Sequence, residues 1–389
     1  MTYDFKTLPN RLDQHSEKWR LTENNPELLQ LWVADMDFQP FPEMRQAIVD
    51  YGQRQIFGYN YASESLFESI MDWEKDQHGY CFDRQALVLV EGVVPALSIA
   101  VQAFTAEGDA VMINTPVYPP FARTIRLNHR RLISQPLSVV NDQFTLDFQA
   151  LEQKIVEEGV KLYIFCNPHN PGGRVWSHQE LLELGAICQK HGVILVSDEI
   201  HQDLTLFGHE HHSFNTVSPN HKEFSVILSS ATKTFNIAGT KNSFAIIENP
   251  QLRKAFTKRQ LANNQHEIPS LGLITTEVAY RHGKPWLTAL KPVLEENILL
   301  VQEELSKKTN IKVPKPQGTY LIWLDFSAYE LSHQELAEKL LEEAQLHLND
   351  GLTFGKEGEK HFRLNAATPQ FVIKEACRRL VEVFGKQRI

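Results

Sequence analysis

Cysteine is scarce in this chain, with only four among its 389 residues. Cys81, Cys166, Cys188 and Cys377 lie far apart and form no CxxC pair. This spacing argues against a disulfide framework and against a thiolate zinc site. The N-terminal stretch is polar and mixed in charge, which argues against a secretory signal peptide. We therefore expect a cytoplasmic protein.

Long apolar runs and an excess of positive charge are also missing. No run approaches the roughly 18 apolar residues that span a bilayer, so we expect no membrane segment. The formal net charge is −9, which disfavours general binding to nucleic acid or to anionic membranes. The histidine-rich stretch "GHEHH" (208–212) lies in a polar loop. We expect that loop to be solvated, and we expect no metal site.

What the sequence does contain is a series of short apolar runs separated by helical patterns. One helix is delimited by a capping box at Ser177 and Glu180 and by a stop at Gly192, which indicates a βαβ unit. Continuous apolar strands alternating with helices predict a mostly parallel sheet covered on both faces. The runs are "ALVLV" (86–90), "AVMIN" (110–114), "KLYIF" (161–165), "VILVS" (193–197), "SVILS" (225–229) and "SFAII" (243–247).

The C-terminal part of the chain follows a different pattern. A long helix is predicted near 284–308, and a second helix over "SHQELAEKLLEEAQLHLNDG" begins at a capping box formed by Ser332 and Glu335. Strands without strict βαβ order surround it, which is typical of a smaller α+β domain. We predict an α/β protein with a large domain, a small C-terminal domain and an N-terminal segment that joins the small domain. The predicted bounds are 46–283, 284–389 and 1–45.

Chemically useful groups follow five of the apolar runs. In an open α/β sheet, ligands bind beyond the carboxyl ends of the strands, so we expect these groups to lie close together. Each group has an ordinary structural explanation when it is taken alone; a lysine is usually solvated, and Asn170 suits a turn. The groups are the backbone N–H groups of Val93 and Val94, the ring of Tyr118, the amide of Asn170, the side chains of Asp198 and His201, and those of Ser230 and Lys233.

Together these groups predict a site for pyridoxal 5′-phosphate. Its aldehyde needs a lysine amine, and its pyridine nitrogen needs a carboxylate to remain protonated, because the protonated ring is the electron sink. Its 3′-oxygen needs a hydrogen-bond donor and its ring needs an aromatic partner. Its phosphate suits backbone N–H groups at the start of a helix, together with hydroxyls and a cation.

Several motifs carry a resemblance to a known group. "CNPHNPGG" (166–173), "SDEIHQDL" (197–204) and "SSATKTFNIAGTK" (229–241) resemble the fold type I, class I/II aminotransferase-like enzymes that depend on pyridoxal phosphate. "VADMDF" (33–38) and "FGYNY" (57–61), with "FRLNAA" (362–367), resemble the cystathionine β-lyase or C–S lyase branch. The resemblance runs from about residue 30 to the C-terminus. It implies a large cofactor domain and a smaller α+β domain.

The resemblance also implies a role for each site residue. Lys233 forms the Schiff base and then acts as the base, and Tyr118 stacks on the cofactor ring and belongs to the catalytic set. Asp198 pairs with the pyridine nitrogen, while Asn170 and His201 face the 3′-oxygen. The implied phosphate site consists of Val93, Val94, Ser230 and Lys241. Many relatives carry arginine at the position of Lys241, and lysine keeps the charge but loses the bidentate fork.

Two further residues extend the implied site to the substrate and to a second subunit. Arg363, with Asn170, binds the α-carboxylate of the substrate, a task that suits a planar guanidinium. Tyr59 reaches the phosphate of the neighbouring subunit, which makes the protein a homodimer with a shared active site.

The implied activity is a C–S lyase acting by α,β-elimination. It releases pyruvate, ammonia and a thiol from sulfur amino acids, giving homocysteine from cystathionine or hydrogen sulfide from cysteine. Two alternatives stay open at this point. An aminotransferase shares the fold, the cofactor and the early steps, and a pyridoxal-phosphate-binding regulatory protein would retain weak lyase activity.

Overall fold

The structure is a computed structural model that describes residues 3–23, 25–54 and 56–386. The outer limits of the predicted N-terminal and C-terminal segments, residues 1 and 389, lie outside these ranges. The strands, in chain order, are β1 (Leu29–Gln30), β2 (Leu87–Val90), β3 (Ala110–Thr115), β4 (Arg131–Pro136), β5 (Ser138–Val140), β6 (Gln143–Thr145), β7 (Val160–Cys166), β8 (Ile194–Asp198), β9 (Ser225–Ser229), β10 (Ser243–Ile246), β11 (Leu321–Asp325), β12 (Leu346–His347), β13 (Asn349–Asp350) and β14 (His361–Asn365).

Helices alternate with the strands through the middle of the chain. None of the helices in the described part combines the length and the apolar character that crossing a membrane requires. In chain order they are α1 (Pro42–Gly52), α2 (Glu64–His78), α3 (Val93–Phe104), α4 (Pro120–Leu127), α5 (Phe148–Glu158), α6 (His178–His191), α7 (Phe214–Val217), α8 (Ala231–Thr234), α9 (Pro250–Ala262), α10 (Ser270–His282), α11 (Lys284–Lys308), α12 (His333–Glu338) and α13 (Gln370–Phe384).

The central sheet has seven strands in the order β2-β10-β9-β8-β7-β3-β4. Only β10 is antiparallel to its neighbours, and the other pairs are parallel. The mostly parallel α/β sheet predicted from the sequence is therefore present. The edge strand β4 was not predicted, because its sequence "RLISQP" is largely polar and partly exposed.

Burial on both faces explains why the inner strands have continuous apolar sequences. Successive residues of one strand enter two different hydrophobic clusters, one on each face of the sheet. Val111 packs in the cluster that contains α3, and Met112 packs in the other. Ile164 and Tyr163 of β7 divide in the same way. Because side chains of a strand alternate between its faces, a sheet covered by helices on both sides needs an apolar residue at every position.

The predicted helix ends are correct at α6 and only partly correct at α12. Ser177 and Glu180 form a capping box, and Gly192 ends α6 with φ 65°. Ser332 and Glu335 form the second capping box. The helix predicted through residue 351 instead ends at Glu338 and continues only as one π-helical segment, Lys339–Glu343. In the next residues, "LHLND", Leu346 and Leu348 are buried while His347 and Asn349 are less so, and two short strands form, β12 and β13.

A second, smaller sheet in the C-terminal region has the order β11-β14-β13 and places Arg363 opposite Trp323. The N-terminal segment contacts this region, because β1 pairs in parallel with β12. α11 begins at Lys284, the residue at which the sequence predicts the small domain to start. The division into segments 1–45, 46–283 and 284–389 remains a prediction.

Candidate active site

A cavity of about 330 Å³ lies at the carboxyl ends of the parallel strands. The first turn of α3, the loop after β3, the ends of β7 and β8, and α8 with the loop behind it all contribute to its wall. Residues from stretches separated by more than a hundred positions therefore meet at one edge of the sheet. Eight of the residues predicted from the sequence line this cavity: Val93, Val94, Tyr118, Asn170, Asp198, His201, Lys233 and Lys241.

The start of α3 presents free backbone N–H groups to the cavity. Gly92 precedes the helix, and Val93 and Val94 are its first residues. The first four N–H groups of an α-helix have no partner within the helix, and they carry the positive end of its dipole. Lys241, in the left-handed conformation with φ 54°, lines the same cavity. This combination suits a phosphate group.

Lys233 lies in α8, directly after the buried strand β9. Its Nζ donates a hydrogen bond to the carbonyl oxygen of Ala34, at 2.5 Å. Burial lowers the pKa of Lys233 to about 8, and the positive charge of Arg363 acts in the same direction. An amine with this pKa is partly unprotonated near neutral pH, which is the form that attacks an aldehyde or accepts a proton.

Asp198 ends β8 and is almost completely buried. Burial raises the pKa of its carboxyl to about 7, and one backbone hydrogen bond, from Ile200 at 3.2 Å, opposes that shift. The described residues provide no ion-pair partner within 4 Å of this carboxylate. A positively charged ligand nitrogen would stabilise its ionised form.

His201 lies one turn beyond Asp198 and is also buried. Burial lowers the pKa of its imidazole to about 3, with further contributions from the charges of Lys233 and Arg363, so the ring is neutral. Its Nδ1 is buried and has no hydrogen-bond partner among the described residues. A neutral ring with a free nitrogen can bond to an oxygen of a bound ligand.

Arg363 does not line the cavity directly but lies immediately behind Asn170. Its Nη1 donates to Asn170 Oδ1 at 2.9 Å, and its Nη2 donates to the carbonyl oxygen of Trp32 at 2.8 Å. The guanidinium also packs over the ring of Phe354, with 5.0 Å from Cζ to the ring centroid. Burial lowers the pKa of Arg363 to about 10, so it stays cationic at neutral pH. No carboxylate of the described residues neutralises this charge, which makes it available to a substrate carboxylate.

The structure does not bring Ser230 and Tyr59 to this cavity. The hydroxyl of Ser230 caps α8, because it accepts from the backbone N–H of Thr232 at 3.1 Å and donates to the carbonyl of Asn242 at 2.7 Å. Thr232 lines the cavity in its place. Tyr59 is 99% exposed and lines a different surface cavity with residues 266–270. Its predicted role concerns a neighbouring subunit, which a single chain does not contain.

Sequence reasoning missed three groups at the site. Thr232 and Asn242 line the cavity, and both stand inside or beside the motif around Lys233, so that motif was the available signal. The third is the carbonyl of Ala34, which is 199 residues from Lys233 in the chain. A backbone carbonyl has no residue-type signature, so nothing in the sequence pointed to it.

The histidine-rich loop is less solvated than expected. His211 is buried, and its Nε2 lies 3.0 Å from Glu199 Oε2. Glu199 also accepts hydrogen bonds from Phe214 N and Ser197 Oγ, at 2.9 and 2.8 Å. These contacts tie the loop to β8. Among the described residues, no group of three or more His, Cys, Asp or Glu side chains is arranged to hold a metal ion.

The donor set fits pyridoxal 5′-phosphate. An amine with a lowered pKa, a buried carboxyl without a cationic partner, a neutral imidazole with a free nitrogen, a tyrosine ring and a helix N-terminus all face one cavity. Lys233 would hold the aldehyde carbon and Asp198 the pyridine nitrogen. Val93, Val94 and Lys241 would hold the phosphate.

Comparison with known proteins agrees with this geometry. The sequence profile of aminotransferase class I and II matches residues 26–380. The chain belongs to this family. It is 38% identical over 381 residues to the cystathionine beta-lyase PatB of Bacillus subtilis, covering 97% of this chain and 98% of that protein. The prediction of a fold type I, aminotransferase-like enzyme is therefore confirmed.

Solved structures are similar over almost the whole chain. Cystalysin from Treponema denticola, which contains pyridoxal 5′-phosphate, matches with a TM-score of 0.95 and 36% identity, covering 98% of this chain and 99% of cystalysin. The pyridoxal-phosphate-bound C–S lyase from Staphylococcus hominis matches with a TM-score of 0.92 and 30% identity, covering 99% and 98% of the two chains. The predicted α/β fold with a mostly parallel central sheet is therefore supported by both similarities.

Proposed function

We propose that this protein is a pyridoxal-phosphate-dependent carbon–sulfur lyase that performs α,β-elimination on sulfur amino acids. The observation that carries the proposal is that Lys233 and Asp198 line one cavity, while Arg363 lies directly behind its wall, bonded to Asn170. These three groups provide a base, a partner for a cationic ring and a carboxylate clamp. The relatives named as cystathionine beta-lyase and C–S lyase support the reaction type.

The cofactor, when bound, supplies an electron sink that stabilises negative charge at the substrate's α-carbon. The residues of the chain do the rest. Arg363, with Asn170 beside it, binds the α-carboxylate and fixes the orientation of the amino acid. The amine of Lys233 has a pKa of about 8 and accepts the α-proton. The carboxylate of Asp198 stabilises the protonated ring nitrogen.

We further propose cystathionine and cysteine as substrates. Elimination of the β-substituent would release homocysteine from the first and hydrogen sulfide from the second, with pyruvate and ammonia as the other products. The substrate is a zwitterion, so the net negative charge of the protein does not oppose its binding, and the carboxylate meets the local charge of Arg363.

An aminotransferase is the second candidate, because the matching family profile is that of aminotransferases. The two reactions differ in their need for a keto acid. Elimination completes every cycle without an acceptor, whereas transamination stops after about one equivalent per site until a keto acid is added. We expect many turnovers of pyruvate and thiol from cystathionine with no keto acid present. A stop at about one equivalent that 2-oxoglutarate relieves would replace the lyase proposal with an aminotransferase.

We also propose a cytoplasmic homodimer in which Tyr59 contacts the cofactor phosphate of the other subunit. The exposure of Tyr59, together with that of Ile56, Phe57 and Tyr61 in the same loop, supports a covering subunit. If Tyr59→Phe and Lys233→Ala are each inactive, mixing them should restore activity in hybrid dimers, which contain one site with both native residues. Proven subunit exchange without recovery would place the role of Tyr59 in its own chain.

A further inference from the structure

Residues 32–38 form a backbone segment, here called the strap, that contributes Ala34 to the wall of the active-site cavity. It contains the "VADMDF" motif, which has no role in the proposed mechanism. Six of its carbonyl oxygens accept hydrogen bonds from side chains of distant elements. These carbonyls belong to Trp32, Val33, Ala34, Asp35, Met36 and Phe38.

Two asparagines from the other motifs hold the strap in place. The Nδ2 of Asn365 donates to the carbonyls of Val33 and Asp35, at 2.7 and 2.6 Å. Asn236 makes a similar clamp, because its Nδ2 donates to the carbonyl of Met36 at 2.9 Å and its Oδ1 accepts from the N–H of the same residue at 2.9 Å. The carbonyl of Ala34 thus lies between two carbonyls that a single amide fixes.

That central carbonyl is the acceptor for the amino group of Lys233. Nζ of Lys233 lies 2.5 Å from Ala34 O, and the hydroxyl of Tyr320 donates to the same oxygen at 3.0 Å. Tyr320 is fully buried, and burial raises the pKa of its hydroxyl far above the usual value, so it remains a donor. One position before Val33, the carbonyl of Trp32 accepts from Arg363 at 2.8 Å. The strap therefore connects the proposed base with the proposed carboxylate clamp.

We propose that Asn365 and Asn236 are positioning residues for Lys233, acting through the strap to hold the Ala34 carbonyl against the free amino group. The inference rests on the role of Lys233 under the proposed function. It also explains why the motifs "VADMDF", "KTFNIAG" and "FRLNAA" occur in one chain, since each supplies one part of the same hydrogen-bonded unit.

The position of the carbonyl affects how readily Lys233 carries a proton. A hydrogen bond from the ammonium to a fixed carbonyl stabilises the charged form and raises its pKa. The other charged groups that act on Lys233 are Arg363, which lowers its pKa, and Asp35 and Asp198, which raise it. Loosening the strap should therefore lower the pKa of Lys233 further. It should also leave the amine less well aligned with the substrate's α-carbon.

Two variants test this with a readout that does not depend on turnover. Asn365→Ala removes one clamp, and Asn236→Gly removes the other while tolerating the left-handed φ of 56° at that position. Asn215→Ala is the matched control, because Asn215 is also buried and bonds through its side chain to Tyr80 and Ser225, away from the strap. The ionisation of Lys233 is measured in the full-length protein freed of cofactor, by competitive acetylation across a pH series and mass spectrometry of the Lys233 peptide.

We expect Asn365→Ala and Asn236→Gly each to lower the pKa of Lys233 by about one unit, equivalent to one hydrogen bond to a charged group. With cofactor restored, kcat should fall about tenfold in both strap variants. In the control Asn215→Ala, kcat should stay within about twofold of the wild-type value. A Lys233 pKa that stays at the wild-type value in both folded strap variants, or moves equally in Asn215→Ala, would overturn the proposal. If wild type shows no lyase turnover but the pKa moves as expected, the proposed function fails and the positioning role stands.

Discussion

Asp198 and Asp203 are five residues apart in the chain and equally buried, yet their carboxyls behave in opposite ways. Asp203 accepts hydrogen bonds from Trp73 Nε1, His78 Nε2 and Thr234 Oγ1, at 3.0, 2.8 and 2.7 Å. Burial alone would raise its pKa, but the contacts with His78 and the other donors outweigh burial and lower it. Asp198 has one weak backbone donor, and burial raises its pKa to about 7.

The difference separates a structural carboxylate from one that is available to a ligand. Asp203 is paired inside the protein, where it links α2 to the helix that carries Lys233. Asp198 has the desolvation of a core residue without the compensating partners. A buried, unpaired charge is costly for folding, and perturbed groups of this kind cluster at functional sites. We therefore propose Asp198, rather than Asp203, as the partner of the cofactor's ring nitrogen.

The largest effect is expected from Asp198→Asn on turnover. Removing the charge that stabilises the protonated ring should reduce kcat by about a thousandfold, the scale found when a preorganised electrostatic group is lost. Pyruvate release in a coupled assay measures kcat, and absorbance of the released cofactor checks that the variant still binds it. Turnover within tenfold of wild type in a cofactor-loaded variant would show that Asp198 is not the ring partner.

Asp203→Asn should act mainly on stability. Asp203 is the carboxylate paired with the buried His78, and its contact raises the pKa of that ring. Removing one partner of a buried pair typically costs about 3 kcal/mol. Urea denaturation monitored by circular dichroism gives the free energy of unfolding. A combined Asp203→Asn, His78→Gln variant should recover part of the loss because it no longer buries an unpaired charge. A single variant as stable as wild type would refute the structural role of the pair.

Arg363 is a second buried charge without a counter-ion. Arg363→Ala should lower kcat/KM through loss of the carboxylate clamp, with a cost in transition-state binding of about 2 kcal/mol or more. The variant also removes the bonds to Asn170 and Trp32. Arg363→Lys keeps the charge but loses the planar fork, so it should fall between wild type and alanine. Equal activity of the lysine and alanine variants would mean that charge at this position contributes nothing.

The pH dependence of stability gives a smaller but selective test in the protein freed of cofactor. Asp198 has a raised folded-state pKa of about 7. Between the unfolded-state pKa of Asp198 and pH 7, its carboxyl is protonated in the folded protein and ionised in the unfolded chain. The contribution of Asp198 to the free energy of unfolding therefore falls as pH rises toward 7. Asp198→Asn lacks this titrating group and so does not lose stability in this way. The free energy of unfolding of the variant, relative to that of wild type, should therefore increase by about 1 kcal/mol between about pH 6 and pH 8. A constant difference would contradict the raised pKa.

The sequence predicted strands and site residues correctly where a residue type has a single physical consequence. Apolar runs predicted the inner strands, because burial on both faces requires an apolar residue at every position. Strand-end residues such as Asp198 and Lys233 could be grouped because parallel strands end at one edge. Ser230 and Thr232 could not be distinguished, since only the structure shows which hydroxyl caps α8 and which faces the cavity. The Ala34 carbonyl had no signature at all.

Lys233 is the residue that we propose holds the cofactor. Borohydride reduction of the cofactor-loaded protein should fix the cofactor to one lysine, which digestion and mass spectrometry can locate. We predict one adduct per chain, on the peptide that contains Lys233, and no adduct in a folded Lys233→Ala variant. An adduct on another lysine, or one that persists in Lys233→Ala, would contradict the assignment of this cavity as the active site.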